Sequence, residues 1–286
     1  MRWVTWDQAA AVAVCCLVAV ALLRRTRPTR LGDALLPAFR ELGFLAVLYS
    51  LWRLARELPL ANDDGAIERA RRIVDLQNWL GLPSELRFQQ WVIGRDWLEW
   101  SSNAYYAIVH VPATIAFLIW LFVRHRHAYT RWRTALVVVT ACSLVIRFQR
   151  VAPPRFLSDL GFIDLSSGTS LDLYGPVGSG VSDQFAAMPS IHVAWAGIVA
   201  FGILAASTSR WRWLALLHLL ATVYAVTVTG HHWWLDGIVA LALLGLALLA
   251  DSAIRQAARS LRADTSPPRR RLITGARPTP NPVASQ

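Results

Sequence analysis

Seven stretches of the chain are mainly apolar over about the length of a membrane span, at 8–23, 35–54, 103–123, 133–149, 190–207, 212–229 and 234–252. A helix needs roughly 20 mainly apolar residues to cross the hydrocarbon of a bilayer. Each run therefore predicts a spanning helix. Together they predict an all-α polytopic transmembrane bundle, a six-span core preceded by one extra N-terminal span. The basic cluster "RRTRPTR" follows the first run instead of preceding it, and no small-residue cleavage motif is present, so that run is expected to stay as an anchor.

The polar intervals have their own patterns. Residues 55–100 repeat apolar positions at helical spacing ("AIERARRIVDLQNWLGL") and predict amphipathic interfacial helices, with Trp79, Trp91, Trp97 and Trp100 suited to headgroup depth. Residues 156–188, rich in Ser, Gly and Asp, predict an irregular loop of lid length. From Asp264 onward Pro, Arg, Thr and Ser dominate, which predicts a disordered tail. Three regions are thus expected: an anchor with its basic loop (1–30), a membrane-embedded domain (31–262) and a basic tail (263–286).

Composition agrees: 55% of the 286 residues are hydrophobic, against about 45–50% in a typical soluble domain. The net charge of +11 would suit nucleic acid, but the position of the charge argues otherwise. Every basic residue is arginine, and seventeen of the twenty-nine fall in the alternate loops 24–30, 124–133 and 210–212 and in the tail. The positive-inside rule makes that side cytoplasmic. The expected location is the cell membrane, with the tail inside and no nucleic-acid partner. Cys15, Cys16 and Cys142 lie in apolar runs without metal-ligand spacing, so neither a disulfide framework nor a zinc site is expected.

Three polar clusters fall on the opposite, outer side: "RFQRVAPPRF" (147–156), "MPSIH" (188–192) and "TGHHWWLDG" (229–237). Ionisable groups at membrane depth are costly and mark functional sites by default. His232 and Asp236 are four apart and would share a helix face, where the carboxylate could fix the tautomer of the ring; such a pair also serves as a plain interhelical contact. His231 is five from Asp236 and would not take that role. Arg155, behind two prolines, offers a fork for phosphate oxygens or an anchor at the headgroups. Pro189 and Ser190 would open a helix whose free N–H groups receive an anion, or would simply cap it, with His192 in the first turn as a proton donor. Asn103, Tyr106 and His110 are at helical spacing and would line a cavity or hydrogen-bond between helices. His218 reads as packed within its span, and His125 and His127 as solvated. The loop acids Asp159, Asp164, Asp172 and Asp183 lack a Ca²⁺-loop pattern.

Taken together, "APPR", "AAMPSIHVAW" and "HHWWLD" resemble the three motifs of the type 2 phosphatidic acid phosphatase superfamily, closest to its inositolphosphotransferase-like branch, which includes inositol phosphorylceramide synthases. The resemblance is specific over about 147–240 and looser upstream. It implies that His232 attacks phosphorus to form a phosphohistidine, that Asp236 orients it, and that His192 protonates the leaving alkoxide and then activates the acceptor. Arg155 and Ser190 would hold phosphate oxygens, and no metal or other cofactor is implied. The wider superfamily has an arginine where this chain has Val226, and prefers glycine where it has Ile191. Both changes are familiar in the transferase-like branch, and Arg147 or Arg150 would replace the missing clamp. The expected partners are the bilayer, a membrane lipid phosphate as donor, and water, inositol or a lipid alcohol as acceptor. A simple lipid-phosphate or polyprenyl-(pyro)phosphate phosphatase is the alternative, and a non-catalytic lipid-binding or transport protein the alternative of another class.

Overall fold

The computed structural model describes residues 4–25, 29–57, 64–166 and 184–264. Helices α1 (Trp6–Arg25) and α2 (Arg30–Glu57) form an antiparallel hairpin. Three shorter helices follow, α3 (Ala66–Trp79), α4 (Glu85–Val92) and α5 (Asp96–Ala104). A five-residue π-helical segment, Tyr105–Val109, joins α5 to α6 (His110–Arg124), so that Asp96–Arg124 is one apolar rod. The rest are α7 (Arg126–Ile146), α8 (Ile191–Ala206), α9 (Ala215–Val228) and α10 (Trp234–Asp264).

Each expected apolar run coincides with a helix, and the protein is an all-α polytopic bundle. Among the described residues five helical rods are long and apolar enough to cross a membrane: Trp6–Arg25, Arg30–Ala55, Asp96–Arg124, Arg210–Val228 and Trp234–Leu261. The apolar α8 is shorter, at 16 residues, and α7 begins on a charged stretch with Arg126, Arg131 and Arg133. Leu17, Ile119, Leu220 and Leu246 are all exposed on the outside of the bundle, an arrangement that hydrocarbon accepts and water does not.

The core centres on α8. It is apolar on every side, so it has no solvent face to offer, and it packs on α6, α7 and α9. Small residues let the neighbours approach: a Cβ on Gly202 would collide with the Phe117 ring of α6. Helix α2 is tied to α7 by Arg133, which reaches Glu41 at 2.7 Å, while Tyr129 donates to the same carboxylate at 3.3 Å. The residues up to Asp251 form one compact unit. The second, from Ser252, is described only as the continuation of α10. The expected tail beyond Asp264, and residues 167–183 of the expected lid, lie outside the described residues.

The segment 66–92 does more than the expected amphipathic helices would. Ala66, Ala70 and Ile73 of α3 pack with Val151, Ala152, Leu157, Ala187 and Trp233. Their apolar face therefore covers the three polar clusters, leaving Trp79, Trp91, Trp97 and Trp100 exposed.

Candidate active site

Backbone hydrogen bonds stitch the three clusters together. Val151 N–H donates to Phe185 O at 2.8 Å and Ala187 N–H to Val151 O at 3.2 Å, joining the first cluster to the second. Arg155 N–H donates to Gly230 O at 3.0 Å, joining the first to the third, and Ser190 N–H to Asp236 O at 3.1 Å, joining the second to the third. Gly230 adopts a φ of 70°, and a Cβ there would lie 3.2 Å from Arg155 Cβ and 3.1 Å from the Gln89 amide. Only glycine fits that turn without strain.

The geometry of His232 settles which ring nitrogen carries the proton. Its Nδ1 lies 2.7 Å from Ala187 O and 3.3 Å from Asp236 Oδ2. A carbonyl oxygen can only accept, so Nδ1 is the donor, and in the neutral ring the lone pair is on Nε2. That nitrogen faces His192 Nδ1 at 3.4 Å. The expected i, i+4 face, however, is not the cause of the His232–Asp236 approach. Helix α10 starts at Trp234, so His232 precedes it, and Asp236 reaches back to accept from Trp233 N–H at 2.8 Å. This is the reciprocal half of a capping box. The same carboxylate caps the helix and faces the histidine.

The second histidine is held elsewhere. His231 Nδ1 lies 2.8 Å from Thr229 Oγ1, whose hydroxyl donates to Ala225 O at 2.7 Å, so the His231 ring is the donor to Thr229. Its ring stacks on Tyr106, centroids 4.4 Å apart. Burial, and then the positive charge of Arg155, hold its pKa well below the ordinary 6.5. His231 is a neutral wall residue.

Sequence reasoning missed the groups that hold this loop from behind. Trp234 N–H donates to Glu85 Oε1 at 2.9 Å, and Leu235 N–H to Gln77 Oε1 at 3.0 Å. Gln77 Nε2 in turn donates to Glu85 Oε1 at 2.8 Å. The orphan N–H groups at the start of α10 are thus capped by side chains from α3 and α4. Burial pushes the Glu85 carboxyl above its ordinary range, opposed by the Trp234 N–H. Gln89 spans Val228 O at 3.1 Å and Ile163 O and N, both at 3.0 Å. A signal was present: Gln77 continues the stripe of Ala66, Ala70 and Ile73, where an apolar residue would be expected.

A cavity of about 280 Å³ opens beside His192 and His232. Arg147 and Arg155 belong to its wall, as do Tyr106 and His110. Helix α2 adds Tyr49, Trp52 and Arg53, none anticipated from sequence. Arg155 Nε is 3.3 Å from Asp164 Oδ2, and that carboxylate's other oxygen is fixed by Ser166 N–H at 2.9 Å. Asp164 therefore has a role as orienter that its loop context did not suggest.

Three expected residues lie elsewhere. Ser190 is fully buried and its hydroxyl accepts from Val193 N–H at 3.3 Å, so it is the N-cap of α8 and is not part of the cavity wall. Pro189 precedes that cap, and the helix begins at Ile191. Arg150 is not in the wall either, and its carbonyl accepts from Arg69 Nε. Asn103 donates to Glu99 O at 3.1 Å and Leu165 O at 2.9 Å, tying α5 to the segment after the first motif. His218 is packed as expected, with Nδ1 2.7 Å from the Tyr105 hydroxyl. Among the described residues no cluster of three or more His, Cys, Asp or Glu could hold a metal ion.

The helix bundle thus encloses a cavity bordered by two facing histidines and by Arg147 and Arg155, with a buried carboxylate behind one histidine, a set of groups suited to handling a phosphoryl group within a membrane. The sequence model of the PAP2 superfamily matches residues 71–250, and the chain belongs to that superfamily. The matched segment holds the three clusters together with α3 and α4. Membership supports a phosphatase-type enzyme acting on lipid phosphoesters. No curated protein and no solved structure matches the chain.

Proposed function

We propose that the protein is a metal-independent lipid phosphotransferase of the inositolphosphotransferase-like branch, working through a phosphohistidine on His232. The observation that carries this is the pairing of His232 Nε2 with His192 Nδ1 at 3.4 Å while Nδ1 of His232 is held at 2.7 Å by Ala187 O. A ring nitrogen with a lone pair, at the wall of a cavity and beside a proton carrier, suits nucleophilic attack on phosphorus. In the first half-reaction His232 Nε2 bonds to phosphorus, the P–O bond to the lipid alcohol breaks, and His192 gives its proton to the leaving oxygen. In the second, the acceptor hydroxyl attacks phosphorus, the N–P bond breaks, and His192 takes the acceptor's proton. The carboxylate of Asp236 steadies the positive charge on the ring. Arg155, oriented by Asp164, and Arg147 in the same wall offer guanidinium forks to the phosphoryl oxygens.

Val226 and Ile191 at the two departing positions support the transferase-like branch. The same centre is a simple phosphatase when water is the acceptor. The arginine distribution supports a site on the outer face of the cell membrane with the tail inside. The test is trapping of the intermediate with a radiolabelled lipid phosphate. Acid-labile label should appear on the wild-type protein and be absent from His232→Ala, whose turnover should fall by at least about 10³-fold. Full turnover by folded His232→Ala would exclude the reading.

A further inference from the structure

We infer that the cavity contains a subsite for a small polyhydroxylated acceptor, held by His110 of α6 and Ser143 of α7. The inference deepens the reading above and rests on it. His110 is 4% exposed and Ser143 7%, and both belong to the cavity wall. Neither ring nitrogen of His110, nor the Ser143 hydroxyl, has a hydrogen-bond partner among the described residues. Neighbouring polar groups are satisfied: Thr140 Oγ1 accepts from Trp195 Nε1 at 3.0 Å, and the Thr114 hydroxyl donates to His110 O at 3.0 Å. Buried polar groups are normally paired, because leaving one unmade costs its full desolvation. A ligand rich in hydroxyls would complete these; an acyl chain would not.

Packing fixes the His110 ring where it could serve. It stacks on Trp195 at 5.5 Å with 17° between the planes, and its centroid is 4.9 Å from that of His192. A molecule bonded to His110 through one hydroxyl would offer a second to His192, the base that must deprotonate the acceptor. The π-helical segment Tyr105–Val109 leads directly into His110, and such segments are frequent at functional sites. Tyr106 within it packs against His192 at 4.6 Å, so the segment and the residue that follows it supply two of the rings around the base. At about 280 Å³ the cavity has room for a small polyol beside a phosphoryl group.

The test is the partition of the phosphoenzyme. Full-length protein in detergent is given short-chain phosphatidic acid with glycerol or myo-inositol, and polyol phosphate is measured against inorganic phosphate. In the wild type the transfer product should rise with polyol concentration. His110→Phe keeps the ring and removes both nitrogens. It should lower the transfer-to-hydrolysis ratio roughly tenfold, about the worth of a hydrogen bond, and Ser143→Ala should lower it less. An unchanged ratio, or an equal loss in both routes, overturns the subsite. A wild type that forms the phosphoenzyme yet releases only inorganic phosphate also overturns it, and leaves the phosphatase form of the reading standing. Label that persists in His232→Ala removes the reading itself, and the subsite with it.

Discussion

Replacing Asp236 by Asn separates two roles that a His–Asp pair usually combines, the choice of tautomer and the stabilisation of charge. Where the carboxylate alone fixes the tautomer, the amide can turn its NH₂ to the ring and leave the wrong nitrogen protonated, at a cost of about 10⁴-fold. Here Ala187 O, at 2.7 Å, is closer to His232 Nδ1 than Asp236 Oδ2, at 3.3 Å. The orientation of the new amide is also decided in advance. Trp233 N–H donates to Oδ2 at 2.8 Å, so the amide oxygen must take that position and the NH₂ the other. His232 therefore keeps its proton on Nδ1. What is lost is the charge, and the difference between a charged and a neutral hydrogen bond is about 1–1.5 kcal/mol, or roughly tenfold in kcat/KM. The NH₂ would replace Oδ1, which already has no hydrogen-bond partner, so no further group is left unmade and the melting temperature should change little. The assay is steady-state kcat/KM on a lipid phosphate beside a melting curve. Asp236→Ala, which removes cap and charge together, should lose far more activity. A loss of about 10³-fold or more in folded Asp236→Asn would show that Ala187 does not hold the tautomer.

Glu85→Ala strips the acceptor from Trp234 N–H and the Gln77 amide, leaving two buried donors unmade, about 1–3 kcal/mol each. Melting temperature and kcat should fall together, with partial recovery in Glu85→Gln, and an unchanged kcat would show that α4 does not hold the catalytic loop. Activity should survive excess chelator and be inhibited by vanadate, because the arginines and His192 supply the positive charge; restoration of chelated enzyme by a divalent ion would reverse the mechanism. His231 has a folded-state pKa below its ordinary 6.5, so the unfolded chain binds more protons just below that pH and stability falls as pH drops through it. His231→Phe, which keeps the stack on Tyr106, should flatten the decline in melting temperature between about pH 7.5 and 5; an identical decline in both proteins would assign it to another group.

The contrast between what the sequence declared and what it concealed follows from the range of the interactions. Apolar runs act along their own length, so seven helices could be placed from hydropathy, while their ends were missed where charged turns extend them, as Arg126–Arg133 extends α7 and the polar stretch up to Asp264 extends α10. His232, His192, Asp236 and Arg155 could be singled out as candidates because ionisable groups have few reasons to sit at membrane depth. The contacts between them could not be foreseen. The approach of His232 to Asp236 looked like helical spacing, yet it arises from a cap at a helix that starts two residues later. Ser190 looked like a phosphate ligand, yet it is fully buried as the N-cap of α8, its oxygen accepting from Val193 N–H.

The deeper omission concerns α3 and α4. Their alternation of polar and apolar positions fits a helix lying on a membrane equally well as a helix lying on protein, since both surfaces reward the same apolar stripe. What distinguishes them is the polar residue on the stripe. A membrane would expel Gln77, Glu85 and Gln89; a protein surface with exposed helix-end N–H groups and loop carbonyls requires them. Their partners outside α3 and α4 are 74 to 158 residues away, so no local pattern could name them. The loop before α10 is consequently built from both ends of the matched segment. The histidines and Asp236 come from its C-terminal half, and the caps that hold Trp234 and Leu235 come from residues 77–85 near its start. A truncation that begins after residue 92 would keep all three motifs and lose the caps. It should therefore lose turnover even where the histidines remain.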